Sequence, residues 1–256
     1  MKVLISNDDG MDAAGIKYLV KRMAKVATVY VAAPDLQKSA SSQSISLITP
    51  VTCVEVKMQG AEIAYRVGGT PADCVKMGLQ KLSERGITVD IVIAGINLGC
   101  NIGTDTHYSG TLGAATEAAI FGYHAIALSA DHHQATEFEY ITDLCIHLID
   151  IEIARYPTNI VININAPNLP KSEIKGVKLT RLGGRGYDDR FERIGDSDVY
   201  RYGGKPIDYC DIPNDIDVAA LRRGYVVVTP LNIDSTSYDV LDDMASSDLF
   251  KEVQNA

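Results

Sequence analysis

The chain has 256 residues, 46% hydrophobic and 22% charged, enough to bury roughly three quarters of its unfolded surface without disulfides or a structural metal. Its 33 acidic against 24 basic residues leave a formal net charge of -9, which argues against general binding of nucleic-acid polymers, where affinity comes from neutralised phosphates. The absence of Trp and the small number of Phe, 4 in all, remove support for base-stacking platforms and membrane-interface belts.

The first predicted strand, Lys2 to Ser6, starts at the N-terminus with no apolar block behind a basic start, so no signal peptide is expected. No apolar run approaches the ~18 residues of a membrane span. Cys53, Cys74, Cys100, Cys145 and Cys210 are scattered, without the close spacing of a zinc knuckle or redox pair. They read as buried thiols of a cytoplasmic protein.

Further Val/Ile-rich runs at Ala27 to Ala33, Asp90 to Ala94, Ala125 to Ser129 and Asn159 to Asn163 are predicted strands buried on both faces. Ile16, Leu19, Val20 and Met23 recur at helical spacing, as do Ile141, Leu144, Cys145 and Leu148. Strand and helix in alternation give a parallel sheet with helices on both sides. Ile45 to Val67 reads as hairpins making an excursion from that sheet. Lys175 to Pro213, rich in Gly, Tyr, Asp and Arg, reads as long hairpins or an arm, a common route to dimers. Ser237 to Val253 returns to helical spacing. With no repeat or low-complexity linker, residues 1–256 are expected to form one domain, with an arm and oligomerisation region at about 175–256.

Chemistry gathers where the strands end. Asn7-Asp8-Asp9-Gly10 follows the first strand, at the crevice where open α/β sheets place their ligands. Two adjacent carboxylates there would drive one another to protonate unless a dication that prefers oxygen ligands sits between them; a tight Asp-Gly turn in water is the alternative. The contiguous pair lacks the Asp-x-Asp spacing of a phosphoenzyme nucleophile. Ser39, in the Ser-rich stretch after Pro34-Asp35, is a neutral oxygen ligand or part of a solvated loop, and Lys38 beside it could meet a phosphate. Gly95-Ile96-Asn97-Leu98-Gly99-Cys100-Asn101 offers close backbone approach and amide side chains.

Ser109-Gly110-Thr111 opens a helix closed by Gly122, where free amides and the helix dipole favour an anion, unless Ser109 or Thr111 merely caps it. Thr70-Pro71-Ala72-Asp73 is a capping box with Pro at the first helical position. Walker, dinucleotide-binding and nucleophile-elbow patterns are absent. His132-His133 reads as a solvated loop, with no histidine placed as acid or base.

Together, Ser6-Asn7-Asp8-Asp9-Gly10, Ala33-Pro34-Asp35 with Ser39, Gly69-Thr70-Pro71-Ala72-Asp73-Cys74-Val75, Gly95 to Asn101, Tyr108 to Ala115 and Gly224 to Leu231 resemble the SurE family of stationary-phase survival proteins, metal-dependent nucleoside 5′-monophosphate phosphatases. The resemblance implies a three-layer α/β/α, Rossmann-like core with a mostly parallel sheet, an extended β-hairpin arm and a C-terminal exchange segment, assembled as a homodimer or homotetramer. It implies one divalent cation per subunit, Mg²⁺ or Mn²⁺, on Asp8, Asp9, Ser39 and Asn97, with phosphate at Asn101, Ser109, Gly110 and Thr111. Asp8 or Asp9 would take the proton of the attacking water. A short-chain polyphosphate phosphatase and a non-catalytic nucleotide or metal sensor are the rival functions. The chain departs from the family in having Asn232 where many members carry His, and Ala13-Ala14-Gly15 where many have Ala-Pro-Gly.

Overall fold

The computed structural model describes residues 1–151, 153–184, 186–204, 207 and 213–247. In chain order the elements are β1 (Lys2–Ser6), α1 (Ala14–Met23), β2 (Thr28–Pro34), β3 (Cys53–Val56), β4 (Ile63–Val67), α2 (Pro71–Ser83), β5 (Ile91–Leu98), α3 (Gly110–Ile120), β6 (His124–Asp131), α4 (Glu139–Ile151) and β7 (Ile160–Pro167). After these come β8 (Val177–Leu179), β9 (Arg190–Arg193), β10 (Tyr200–Gly203), α5 (Asp217–Arg222), β11 (Val226–Asn232) and α6 (Tyr238–Ser246).

Nine strands form one sheet in the order β3-β4-β2-β1-β5-β6-β7-β11-β8. The six from β4 to β7 run parallel, while β3 and β11 pair antiparallel with β4 and β7. β1 is the switch point: the chain leaves it for β2 on one side and later returns to β5 on the other. Loops after β1 and β5 therefore diverge and open a crevice at their carboxyl ends.

The apolar spacing places the helices. Ile16, Leu19, Val20 and Met23 of α1 are buried, as are Ile141, Cys145 and Ile149 of α4, all in the core on one sheet face. The other face is covered by α2 and α3, completing the α/β/α layers. α3 is rich in Ala and Gly and almost wholly buried, so the small side chains let it lie close to both sheet and loops.

Several expectations change. Residues 45–67 do not leave the sheet: β4 extends it beside β2, and β3 caps β4. β2 is buried, so its outer edge would otherwise hold unpaired backbone groups away from water. Within the expected arm, β8 joins the main sheet beside β11, and β9 and β10 form a separate antiparallel hairpin; residues 185, 205, 206 and 208–212 lie outside the description. Cys74 and Cys145 are buried, and burial pushes the Cys145 thiol up to about 12. Cys53 and Cys100 are only half-buried, because Cys53 lies on edge strand β3 and Cys100 in a loop at the crevice. Cys210 is outside the described residues. The last helix spans Tyr238–Ser246 with no buried residue, and the remainder expected through Val253 lies mostly beyond the described residues. No described helix is long and apolar enough to cross a membrane.

Close approach is built on missing side chains. A Cβ at Gly15 of α1 would stand 2.0 Å from the Ile96 carbonyl oxygen of β5, a backbone atom that cannot swing aside. Gly15→Ala is expected to lower stability by at least ~1–3 kcal/mol, the usual cost of overpacking. Gly184→Ala, which meets nothing within 4 Å, should stay within ~0.5 kcal/mol of the parent. Urea midpoints of the two variants measure the contrast.

Candidate active site

Asp8 and Asp9 sit at the end of β1, where the chain turns through Gly10 at a φ of +98°, a conformation glycine adopts without strain. Asn7 Nδ2 donates to the Gly10 carbonyl at 2.9 Å and the Met11 amide to the Pro34 carbonyl at 2.8 Å. Asp8 is almost fully buried. The loop after β2 joins it through the Lys38 amide, which donates to the Asp8 carbonyl at 2.7 Å. From β5, the Leu98 amide donates to Asp9 Oδ2 at 2.9 Å. The β5–β6 register shifts between Ala94 and Asn97, a local irregularity that re-aims the strand end toward the crevice. Gly95 permits it: a Cβ there would stand 2.4 Å from the Leu128 carbonyl oxygen.

The start of α3 closes the crevice. Ser109 is its N-cap, with Oγ accepting from the Leu112 amide at 3.1 Å. Gly110 lets the helix press against the acids, since a Cβ there would be 2.8 Å from Asp8 Cβ. Thr111 is buried and its hydroxyl donates to Asp8 Oδ1. A cavity of about 210 Å³ results, and five of the eight predicted residues line it: Asp8, Ser39, Asn97, Asn101 and Ser109. Asp9, Gly110 and Thr111 reach it through the contacts already described.

Among the described residues no three or more His, Cys, Asp or Glu are grouped so that they could hold a metal ion. The predicted ligand set contains only two ionisable groups, the other two being a hydroxyl and an amide. All four offer oxygen, the donor that Mg²⁺ and Mn²⁺ select. Asn97 Nδ2 donates to the Gly99 carbonyl at 2.7 Å, which leaves its amide oxygen as the atom to meet a cation. Gln37 Nε2 lies 3.2 Å from Asp9 Oδ1 and 2.9 Å from Ser39 Oγ. One N–H₂ group thus draws two of the predicted ligand oxygens together, and the donor set fits a divalent cation.

Two features escaped the sequence. His133 lines the cavity, with Nδ1 3.3 Å from the Leu98 carbonyl oxygen, because the turn after β6 folds back over Gly99; its adjacency to Asp9 is wholly tertiary. Asn163 and Asn165 of β7 are buried beneath the site. Asn165 Oδ1 accepts the Asn101 amide at 2.7 Å, and Asn163 Nδ2 donates to the Asn101 carbonyl at 2.9 Å. Asn101 in turn spends its Nδ2 on Ser129 Oγ at 2.9 Å. Two amides spaced two apart in an otherwise apolar strand were the available signal, since they share one face. The capping box at Thr70 is present, and its Asp73 also accepts the Ser46 amide at 3.1 Å. Lys38 does not line the cavity, and Asn232 lines a different cleft, between α3 and β11.

The chain is similar to known proteins over nearly its whole length. A family model described as "Survival protein SurE" matches residues 3–189. A 5′-nucleotidase SurE of Petrotoga mobilis is 38% identical over 251 residues, covering 96% of this chain and 98% of the relative. A 5′-nucleotidase SurE of Moorella thermoacetica is 37% identical over 250 residues, covering 96% and 95%. The crystal structure of the SurE protein from Aquifex aeolicus superposes with a TM-score of 0.83 at 34% identity, covering 96% of this chain and 98% of that one.

Burial pushes the Asp8 carboxyl up to about 6; the Thr111 hydroxyl opposes the shift and the Asp9 charge adds to it. Asp9 is also raised, chiefly by burial, against the Leu98 amide, Gln37 and the pull of His133. A carboxyl whose folded pKa exceeds its unfolded value near 3.8 gives stability below that value and loses it as pH rises through about 6. At ~1.4 kcal/mol per pKa unit, the loss above pH 7 is about 3 kcal/mol without a cation. In chelator, Asp8→Asn is expected to melt several degrees above the parent at pH 8, with the difference vanishing near pH 4; calorimetric scans across that range read it directly.

Proposed function

The chain belongs to the SurE family, and on that premise we propose that it is a divalent-metal-dependent 5′-nucleotidase, hydrolysing nucleoside 5′-monophosphates to nucleoside and phosphate. The observation that carries this reading is the meeting of two desolvated carboxylates, two neutral oxygen donors and the start of α3 around one small cavity. A phosphate and a cation suit its volume of about 210 Å³, whereas a whole nucleotide needs a larger site. The nucleoside therefore lies at the mouth, and the phosphoryl group is what the residues grip.

Asp8, Asp9, Ser39 and Asn97 would hold one Mg²⁺ or Mn²⁺ per subunit. Such an ion supplies polarisation of a phosphoryl oxygen and a more acidic water. Asp8, fixed by the Thr111 hydroxyl through Oδ1, or Asp9 beside it would receive the water's proton. Amides at Ser109, Gly110 and Thr111, reinforced by the helix dipole, bind the equatorial phosphoryl oxygens as charge develops on them. Asn101, held from below by Asn163 and Asn165, fixes the opposite wall. The compact site is built before substrate arrives, which is what positioning catalysis requires.

We assign residues 1–256 to one cytoplasmic domain that assembles as a homodimer or homotetramer through about 175–256. Exposed apolar side chains there support this: Phe191, Tyr200 and Tyr202 on the hairpin, and Val240, Leu241 and Met244 on α6. Light scattering on the purified chain is expected to give two or four subunits, and a monomer at micromolar concentration would contradict the assignment.

Phosphate release from a panel of nucleoside monophosphates and from tripolyphosphate, with Mg²⁺ or Mn²⁺ and with chelator, tests the activity. Release from the nucleotides that ceases in chelator is expected. Release from tripolyphosphate alone would transfer the substrate class to short polyphosphates, and nucleotide binding without release under any metal would make the chain a sensor. Asp9→Asn should lower kcat at least ~100-fold, the scale of losing one preorganised electrostatic group; full activity in that variant would refute the mechanism. Because the chain carries a net charge of -9, nucleotide affinity measured by calorimetry should also collapse in chelator.

A further inference from the structure

We infer that Gln43, Glu117 and Lys76 form a clamp that positions the Ser39 loop against α3, so that cation site and phosphate site keep a fixed separation. The inference rests on Ser39 serving as a cation ligand, as proposed above. Residues 35–46 contain turns and bends but no helix or strand. Ala40 and Ser42 hold φ values of +56° and +50°, left-handed conformations that residues with a Cβ adopt at a cost. Left to itself, such a loop would relax, and the Ser39 hydroxyl would move with it.

What keeps the loop in place comes from two helices. At its far end the Thr70 hydroxyl donates to the Ser44 carbonyl at 2.6 Å, and Asp73 accepts the Ser46 amide. In its middle, Ser42 donates through its amide to the Tyr108 carbonyl at 3.0 Å and through Oγ to the His107 carbonyl at 2.7 Å. Its backbone seats on Gly113, where a Cβ would stand 2.2 Å from the Ser42 carbonyl oxygen. Between these anchors, Gln43 Nε2 donates to Glu117 Oε2 at 3.0 Å.

Glu117 is a carboxylate that the hydrolytic chemistry does not use. Its side chain is only 5% exposed, and a buried charge demands partners. Lys76 of α2 bonds Oε1 and lies 4.8 Å from the centre of the Phe121 ring. Buried ion pairs are weak devices for stability, and their best-attested use is to fix register between elements. Here the elements are α2, α3 and the loop, with Oε2 turned to Gln43. Glu117 lies on the same helix whose first residues form the phosphate site. Gln43 is therefore a positioning residue: releasing it removes the Glu117 anchor, so the left-handed turn at Ala40 and Ser42 rests on the remaining Ser42 and Ser44 anchors, and Ser39 keeps the Gln37 amide at its hydroxyl.

The test is Mn²⁺ binding by calorimetry, without substrate, on the parent, Ser39→Ala, Gln43→Ala and Glu117→Gln, with melting temperatures alongside. Gln43 is exposed and its removal leaves the Glu117–Lys76 pair intact, so Gln43→Ala should melt within about 2 °C of the parent. Its Kd for Mn²⁺ should nonetheless rise about tenfold, as for loss of a group that orients a ligand. Glu117→Gln, which keeps an amide oxygen facing Gln43, should stay within about threefold of the parent Kd. If Ser39→Ala weakens binding while Gln43→Ala leaves Kd unchanged, whatever its melting temperature, the clamp is wrong and the ligand set stands. If Ser39→Ala also leaves Kd unchanged, the ligand assignment fails and takes the clamp with it.

Discussion

Asp8 and Asp9 are consecutive carboxylates at the end of a strand buried on both faces, and much of the surrounding structure follows from accommodating them. Burial penalises the charge of both, and the Asp9 charge adds to the penalty at Asp8; the groups that offset it come from separate parts of the chain. Thr111 reaches Asp8 from α3, the Leu98 amide reaches Asp9 from β5, and Gln37 reaches Asp9 from the loop after β2. The strand order makes this convergence possible, since β1 lies between β2 and β5 and their loops part directly above it.

Bringing so many backbones to one place requires side chains to be missing at the contacts. Gly15 admits β5 to α1, Gly110 admits Asp8 to α3, and Gly113 admits the Ser42 carbonyl to the next turn of α3. These glycines need no unusual φ; they are sites of close approach. An Ala- and Gly-rich α3 is thus a geometric necessity: bulkier residues would lift the helix from the sheet and carry its N-terminal amides away from the acids. The same closeness gives the helix dipole its reach, because its effect fades within the first turn.

Polar groups beneath the cavity serve the same end by a different route. Asn101, Asn163, Asn165 and Ser129 satisfy one another in the interior, so the loop between β5 and α3 rests on a hydrogen-bonded floor. A fully satisfied buried network specifies one arrangement where an apolar floor would tolerate several. For a chain of net charge -9, that fixed arrangement matters to the proposed activity: an anionic phosphoryl group would be attracted only locally, by the α3 amides and by the cation proposed between the acids.

By itself the sequence determined the alternation of strands and helices, the buried faces of α1 and α4, the capping box at Thr70 and the cluster of motifs at the strand ends. Each of these is a local property, set by spacing of apolar side chains or by the chemistry of adjacent residues. Eight candidate site residues could be named because the short motifs that carry them resemble those of the SurE family, whose site positions they match. Where residues 45–67 would pair was not legible, because the same hairpin-like pattern serves an isolated excursion or a sheet edge, and only the open backbone of β2 decides between them. His133 beside Asp9, the amide floor under Asn101, and Glu117 beside Gln43 were equally out of reach. Asn163 stands 62 positions from Asn101, Glu117 74 from Gln43 and His133 124 from Asp9, and side-chain contacts across such distances exist only once the layers have packed.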